Sequence, residues 1–245
     1  MRIYTNAQEM VEEVKRDLAE MGIVVRPATM QDKYVKGNPD YETKELQNYS
    51  YCLLNARSQD IPEVTQPWAD AEFKERVTDP WERYPDGEPL LESISLPNFI
   101  NPGEAWKLRK EVWSEYMHDG KLAYTYNELL WNNDQLTKIM NRLKEDPDSR
   151  QLWISLWNPD KDPDFLGGVS RVPCSLGYGL QVRDGKLNLH YVMRSCDFVT
   201  HFRNDVYLAI KFLEWVAEKT GYPVGDFTHT MFSCHVYNKD IQGVF

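Results

Sequence analysis

The chain has 245 residues, 42% of them hydrophobic and 13% aromatic, which is enough to bury a full core, and its formal net charge is -10. That acidic surplus opposes general attraction to a polyanion, because phosphate backbones are gripped through surplus Lys and Arg, so nucleic-acid binding is not expected. No stretch approaches the roughly 18 uninterrupted apolar residues of a membrane span, and the N-terminus lacks a signal-peptide core, which predicts a cytoplasmic protein without membrane association.

Residues 7–21 carry Met10, Val11, Val14, Leu18 and Met21 on one helical face, with Thr5-Asn6 as caps and Gly22 as a stop. From about Asn55 to Pro102 the periodicity fades, and Pro62, Pro67, Pro80, Pro85, Pro89, Pro97 and Pro102 punctuate a stretch containing Trp68 and Trp81. This reads as an irregular excursion with short helices, because a structureless loop of that length is unusual in a compact domain. A helix is expected over 134–144, capped by Asp134, with Leu136, Ile139, Met140 and Leu143 as its buried stripe and the Asp146-Pro147-Asp148 turn as its end.

Leu152, Ile154 and Leu156 alternate with Trp153, Ser155 and Trp157, the pattern of a strand partly covered on both faces. Residues 176–183 and 187–193 flank Asp184-Gly185, a dipeptide suited to a tight hairpin. Val206, Ala209, Ile210, Leu213, Val216 and Ala217 predict a mostly buried helix over 206–219, stopped by Gly221, and 227–237 is strand-like. Without repeats or low-complexity tracts, the economical reading is one α+β domain over 1–245 with a sizeable sheet.

Cys52, Cys174, Cys196 and Cys234 stand far apart without a C-x-x-C pair, so neither a metal site nor a disulfide framework is expected. Cys174 follows Arg171-Val172-Pro173, between a Gly167-Gly168 loop and the first strand of the hairpin, with its backbone restrained by the proline. Taken alone, an inert buried thiol is the commoner explanation. Arg194 closes the strand that folds back beside Cys174, and a guanidinium there favours thiolate and lowers the cysteine pKa; the plainer reading is a strand-end surface charge. Asn204 and Asp205 open the buried helix, where both types serve as caps. His235 and Tyr237 share one side of a strand, as hydroxyl binders or as a satisfied core pair.

In chain order, Asp146-Pro147-Asp148-Ser149-Arg150, Pro173-Cys174, Asp184-Gly185-Lys186-Leu187, Arg194-Ser195-Cys196-Asp197, Gly225-Asp226-Phe227 and His235-Val236-Tyr237 resemble the ordered motifs of thymidylate synthases, over about residues 121–240. The resemblance implies a thymidylate-synthase-like α+β fold with a large mixed sheet flanked by helices, and a two-fold homodimer through that sheet. It implies that Cys174 attacks C6 of a pyrimidine nucleoside monophosphate. Arg194 and Ser195 would hold the phosphate, and Arg150 would reach the partner's phosphate site, although Gln151 stands where the family has a second arginine. His235 and Tyr237 match the pair that binds the sugar hydroxyl. Asp197 matches a contact to the cofactor, 5,10-methylenetetrahydrofolate, and Tyr126 an active-site tyrosine at the cofactor, with Asn127 in place of the usual glycine.

In these synthases an asparagine eight residues after the Arg-Ser-x-Asp aspartate reads the base. The same count reaches Asp205 here, or Asn204 if the register slips by one. A carboxylate suits cytosine, which offers an N4 donor and a ring nitrogen that donates when protonated. That change resembles the phage-type deoxycytidylate hydroxymethylases. Asp40-Tyr41-Glu42-Thr43-Lys44-Glu45-Leu46-Gln47-Asn48-Tyr49 is similar to their glutamate-bearing segment, which makes Glu45 the catalytic acid/base and water-ordering group, with Asn48 where the family has tryptophan. The blander reading of Glu45 is a solvated helix carboxylate.

By resemblance, thiolate addition at C6 makes C5 electron-rich, and one-carbon transfer leaves an exocyclic methylene. Water converts it to hydroxymethyl; hydride from the folate converts it to methyl and gives dihydrofolate. The chain ends eight residues after Tyr237, where synthases continue into a tail that closes over the folate, and an open site favours water and so hydroxymethylation of dCMP. A methylating synthase making 5-methyl-dCMP or dTMP, and a non-catalytic nucleotide-binding dimer, remain as alternatives. Nothing marks a histidine as a base paired to Cys174, which disfavours a cysteine hydrolase. A phage source, acting in host cytoplasm, follows from the resemblance alone.

Overall fold

The longest strand, β10 (Val224–Tyr237), is the axis of an eight-stranded mixed sheet in the computed structural model, which describes residues 1–79, 105, 107–109, 114 and 122–244. On one side β10 runs antiparallel to β5 (Thr43–Leu53), which pairs further with β1 (Arg2–Tyr4) and β2 (Ile23–Val25). On the other side it runs parallel to β8 (Lys186–Met193) and β9 (Cys196–Asp197), and the sheet continues through β7 (Ser175–Arg183) to β6 (Trp153–Ser155). β7 and β8 form the expected hairpin: Asp184 (φ 50°) and Gly185 (φ 72°) both take the left-handed backbone that a two-residue turn demands. A small separate hairpin joins β3 (Thr29–Met30) to β4 (Lys33–Tyr34).

Helices bury one face of this sheet. Helix α1 (Ala7–Met21) is capped by Asn6, whose side chain accepts from Glu9 N–H at 2.9 Å, and it hides Met10, Val11, Val14 and Leu18 completely or nearly so. Gly22 ends it through close approach: a Cβ there would meet Leu18 O at 2.5 Å. The long helix α5 (Phe202–Thr220) lays Val206, Ala209, Ile210, Leu213 and Val216 on the sheet. Each of the Val, Ile and Leu side chains among them contributes about 1.5–3 kcal/mol of burial. Phe202 meets a cluster of Tyr51, Tyr191, Phe227 and His229 rising from β5, β8 and β10. Around this core stand α2 (Trp68–Val77), α3 (Tyr126–Trp131) and α4 (Gln135–Glu145).

Several expectations shift. Helix α5 starts at Phe202, four residues before the expected start at 206, so Asn204 and Asp205 lie inside its first turns and cap nothing there. Asp134 takes a left-handed conformation and makes no capping bond; Gln135 does the local work, donating to Leu129 O and Ser155 O and accepting from Ser155 N–H. Leu152, Ile154 and Leu156 are buried, but Trp153 is 46% exposed, so this strand is covered on one face rather than both. The excursion holds a 3-10 turn at Ser58–Asp60 and α2, while its remainder, with Pro80, Trp81, Pro85, Pro89, Pro97 and Pro102, lies outside the described residues. Among the described residues no helix is long and apolar enough to cross a membrane.

Candidate active site

A cleft of ≈ 420 Å³ opens where the end of β10, the start of α5, α2, α3 and the β3–β4 hairpin converge. Cys174 reaches it from the junction between the Gly167-Gly168 loop, whose glycines have φ of 75° and 87°, and the start of β7. Gln31 Nε2 donates to Cys174 Sγ at 3.3 Å, and Arg194 Nη2 does so at 3.8 Å. The guanidinium of Arg194 is itself held by Pro173 O and Val172 O at 2.9 and 3.0 Å, so the expected cation stands beside the thiol. Its expected effect does not prevail: burial pushes the Cys174 pKa up, and Arg194 and Arg171 only partly offset it, while the Asp205 charge adds to the rise.

Asn204 and Asp205 both line the cleft, but their side chains are differently committed. The Asn204 amide is buried and used at both ends, accepting from Thr65 N–H at 2.9 Å and donating to Thr65 Oγ1 at 3.1 Å. Among the described residues, Asp205 Oδ2 receives only a long contact from the Cys196 thiol at 4.0 Å. Burial raises the Asp205 pKa, His201 and Arg76 oppose the rise, and Asp197 and Glu72 add to it. Asp197 ties down the loop into α5, its Oδ1 accepting from Val199 and Thr200 N–H at 3.0 and 3.2 Å, and it lines the cleft with Ser195.

Tyr126 opens α3 behind a Thr125–Glu128 capping box. Its hydroxyl accepts from Ser175 Oγ at 3.2 Å, and the Arg76 guanidinium lies 4.0 Å above its ring. Arg76 is buried and pairs with Glu72 at 2.7 Å, so Glu72 and Tyr126 share one anchor. Sequence reasoning missed Glu72, Arg76 and Gln31.

His235 and Tyr237 also line the cleft, packed edge to face at 5.0 Å. Glu45 lies on strand β5 opposite His235 in register, which overturns the helix-carboxylate reading. Its Oε2 accepts from Ser233 Oγ at 2.5 Å, and that hydroxyl lies 3.2 Å from His235 Nδ1. Burial lowers the His235 pKa, which favours the neutral imidazole.

Arg150 is not in this cleft. It is exposed beside Gln151, Trp153, Gln181 and His190 in a second depression along the sheet face that also carries the exposed Phe232. Among the described residues, no group of three His, Cys, Asp or Glu is arranged to hold a metal. A flat heteroaromatic cofactor fits the remaining wall, where Trp68, Leu122, Tyr124 and Tyr126 supply apolar surface. Trp68 Nε1 is buried without a hydrogen-bond partner among the described residues.

A thiol with amide and guanidinium donors, a carboxylate from the first turns of α5 and a packed imidazole–phenol pair line one cleft and define a cysteine-centred small-molecule site. The thymidylate synthase family model matches residues 103–245. A Methanosarcina mazei protein named "Putative thymidylate synthase" is 37% identical over 145 residues, 56% of this chain and 65% of that protein, just under two thirds of its length. A Methanosarcina barkeri protein of the same name is 27% identical over 91% of this chain and 94% of its own. The structure of the thermostable thymidylate synthase A from Bacillus subtilis superposes with a TM-score of 0.68 at 21% identity, covering 96% of this chain and 81% of that one, and shows the fold. The chain belongs to the thymidylate synthase family, whose one-carbon donor is 5,10-methylenetetrahydrofolate.

Proposed function

We propose that the protein transfers a one-carbon unit to C5 of a pyrimidine nucleoside monophosphate, with cytosine as the base and a hydroxymethyl group as the product. The observation that carries the choice of base is the pair Asn204 and Asp205: the amide is spent on Thr65, and the carboxylate remains for the ligand. Held by Asp205, the N4 and N3 edge of cytosine fixes the ring over Cys174. The Cys174 sulfur adds at C6, forming a C–S bond and moving an electron pair to C5. Bound methylenetetrahydrofolate supplies the carbon at the oxidation level of formaldehyde. Once C5 has taken that carbon and its bond to the folate nitrogen has broken, C5 would lose its proton, water would add to the resulting methylene, and Cys174 would depart as thiolate, so that dCMP, methylenetetrahydrofolate and water are balanced by 5-hydroxymethyl-dCMP and tetrahydrofolate.

Arg194 and Ser195 hold the phosphate, His235 and Tyr237 the sugar hydroxyl, and Asp197 and Tyr126 flank the folate. Two carboxylates compete for the proton work. Glu45 carries that role by resemblance, but it accepts from Ser233 Oγ at 2.5 Å, whereas Glu72 lines the cleft beside Arg76, its partner at 2.7 Å, whose guanidinium lies 4.0 Å above the Tyr126 ring. We therefore assign proton transfer to Glu72 and the ordering of Ser233 and His235 to Glu45. The exposed sheet face with Trp153 and Phe232 supports a two-fold homodimer, in which Arg150 from one protomer completes the phosphate site of its partner.

The names of the relatives favour a second reading, methylation. Incubation with dCMP and methylenetetrahydrofolate, with the product weighed by mass spectrometry and dihydrofolate followed by absorbance, separates the two. A hydroxymethyl product without dihydrofolate supports the proposal, and a methyl product with one dihydrofolate per turnover establishes the second reading.

A further inference from the structure

The β3–β4 turn contains a residue that ordinary turn chemistry does not explain. Gln31 has φ 53°, in the left-handed region that glycine enters freely and a long side chain enters only at a cost. Two-residue hairpins favour Gly, Asn or Asp at such positions. A strained residue at a cleft points to a task for its side chain. Gln31 Oε1 accepts from Val172 N–H at 3.4 Å, while Nε2 donates to Cys174 Sγ at 3.3 Å. A backbone N–H can only donate, so the first bond fixes which end of the amide faces Val172 and leaves the NH₂ for the sulfur. The hairpin is also seated on the loop that leads to Cys174: a Cβ on Gly168 would lie 3.4 Å from Thr29 Cγ2 and 3.7 Å from Lys33 O.

We infer that Gln31 is a dedicated donor to the Cys174 sulfur, presented by the strained β3–β4 turn so that, with Arg194, it favours the thiolate over the thiol. The inference rests on the reading of Cys174 as nucleophile, but its geometry is independent of which nucleotide binds. A donor to the ionised form offsets the burial that disfavours it, and the direction of the Gln31 contribution to the Cys174 pKa agrees. The N-terminal hairpin thereby completes the surroundings of a residue 143 positions further along the chain.

The test is peptide-resolved alkylation of Cys174 by iodoacetamide as a function of pH, in the full chain and in Gln31→Gly and Gln31→Glu. Glycine relieves the backbone while deleting the donor; glutamate keeps the size and replaces the donor with an acceptor. The expected result is a rise of about one pH unit in the alkylation midpoint for Gln31→Gly, close to a tenfold loss of thiolate below the midpoint, and a larger rise for Gln31→Glu. The thermal midpoint of Gln31→Gly should not fall, because the turn itself is relaxed. Superimposable alkylation profiles for all three proteins would overturn the inference. Alkylation requires no substrate, so this outcome is distinct from failure of the nucleophile reading, which is undone instead by a Cys174→Ala variant that still turns over.

Discussion

Asp205→Asn is the most informative single change at the cleft. The carboxylate accepts from both N4–H and protonated N3 of cytosine, whereas an amide sets a donor against N4 and pairs with uracil. A buried polar group left unpaired costs about 1–3 kcal/mol, and the exchange penalises cytosine while relieving uracil. The two effects compound to about 2–6 kcal/mol, so the dCMP-to-dUMP ratio of kcat/KM should fall by roughly 30- to 3 × 10⁴-fold. Stability supplies an independent control. Burial raises the folded pKa of Asp205 above its unfolded value, so stability is lost as pH rises from the unfolded value through the folded one. Asp205→Asn should therefore show a higher urea midpoint at pH 7, with an advantage that shrinks toward pH 4. Competition kinetics with both nucleotides read the ratio. A ratio unchanged within about threefold in a stably folded variant would refute the assignment of Asp205 as base reader.

Asn204→Ala removes both bonds to Thr65 and should cost about 2–3 kcal/mol in urea unfolding while leaving base preference unchanged; an altered preference would return the reader role to Asn204. Glu72→Gln should lower kcat by about 10²-fold or more and Glu45→Gln should mainly raise KM, a division that steady-state kinetics would reverse if Glu45 is the acid/base group. His229 is fully buried, bonded to Tyr51, and its pKa is pushed down to about 3. Because its folded pKa lies below the unfolded value, its contribution is complete above pH 6.5 and is lost as pH falls, by about 1.4 kcal/mol per unit. Urea midpoints at pH 5.5 and 4.5 should show that slope, and His229→Gln should flatten it.

The sequence made α1, the β7–β8 hairpin and most of α5 readable because each carries an uninterrupted period or a turn dipeptide with one backbone solution. Strand β5 was hidden because Asn48 takes φ 51° in mid-strand and shifts the alternation, so Leu46 and Tyr51 are buried out of step. The Cys174, Arg194, Asp205, His235 and Tyr237 positions were legible as ordered motifs in the half of the chain where the resemblance is dense. Glu72 and Arg76 were not, since Glu72, Lys74, Glu75 and Arg76 within α2 read as a solvated face until Arg76 is seen packed over Tyr126. Gln31 carries no local signal, because its meaning lies in a contact with Cys174 across 143 residues.

The central claim is that the Cys174 sulfur activates C5 of a cytosine nucleotide. Tritium release from [5-³H]dCMP and [5-³H]dUMP, measured with methylenetetrahydrofolate for the wild type and for Cys174→Ala, tests it most directly. The account predicts release from dCMP in excess over dUMP by the wild type, and none by the variant. Release by Cys174→Ala, or release from dUMP alone by the wild type, would contradict it.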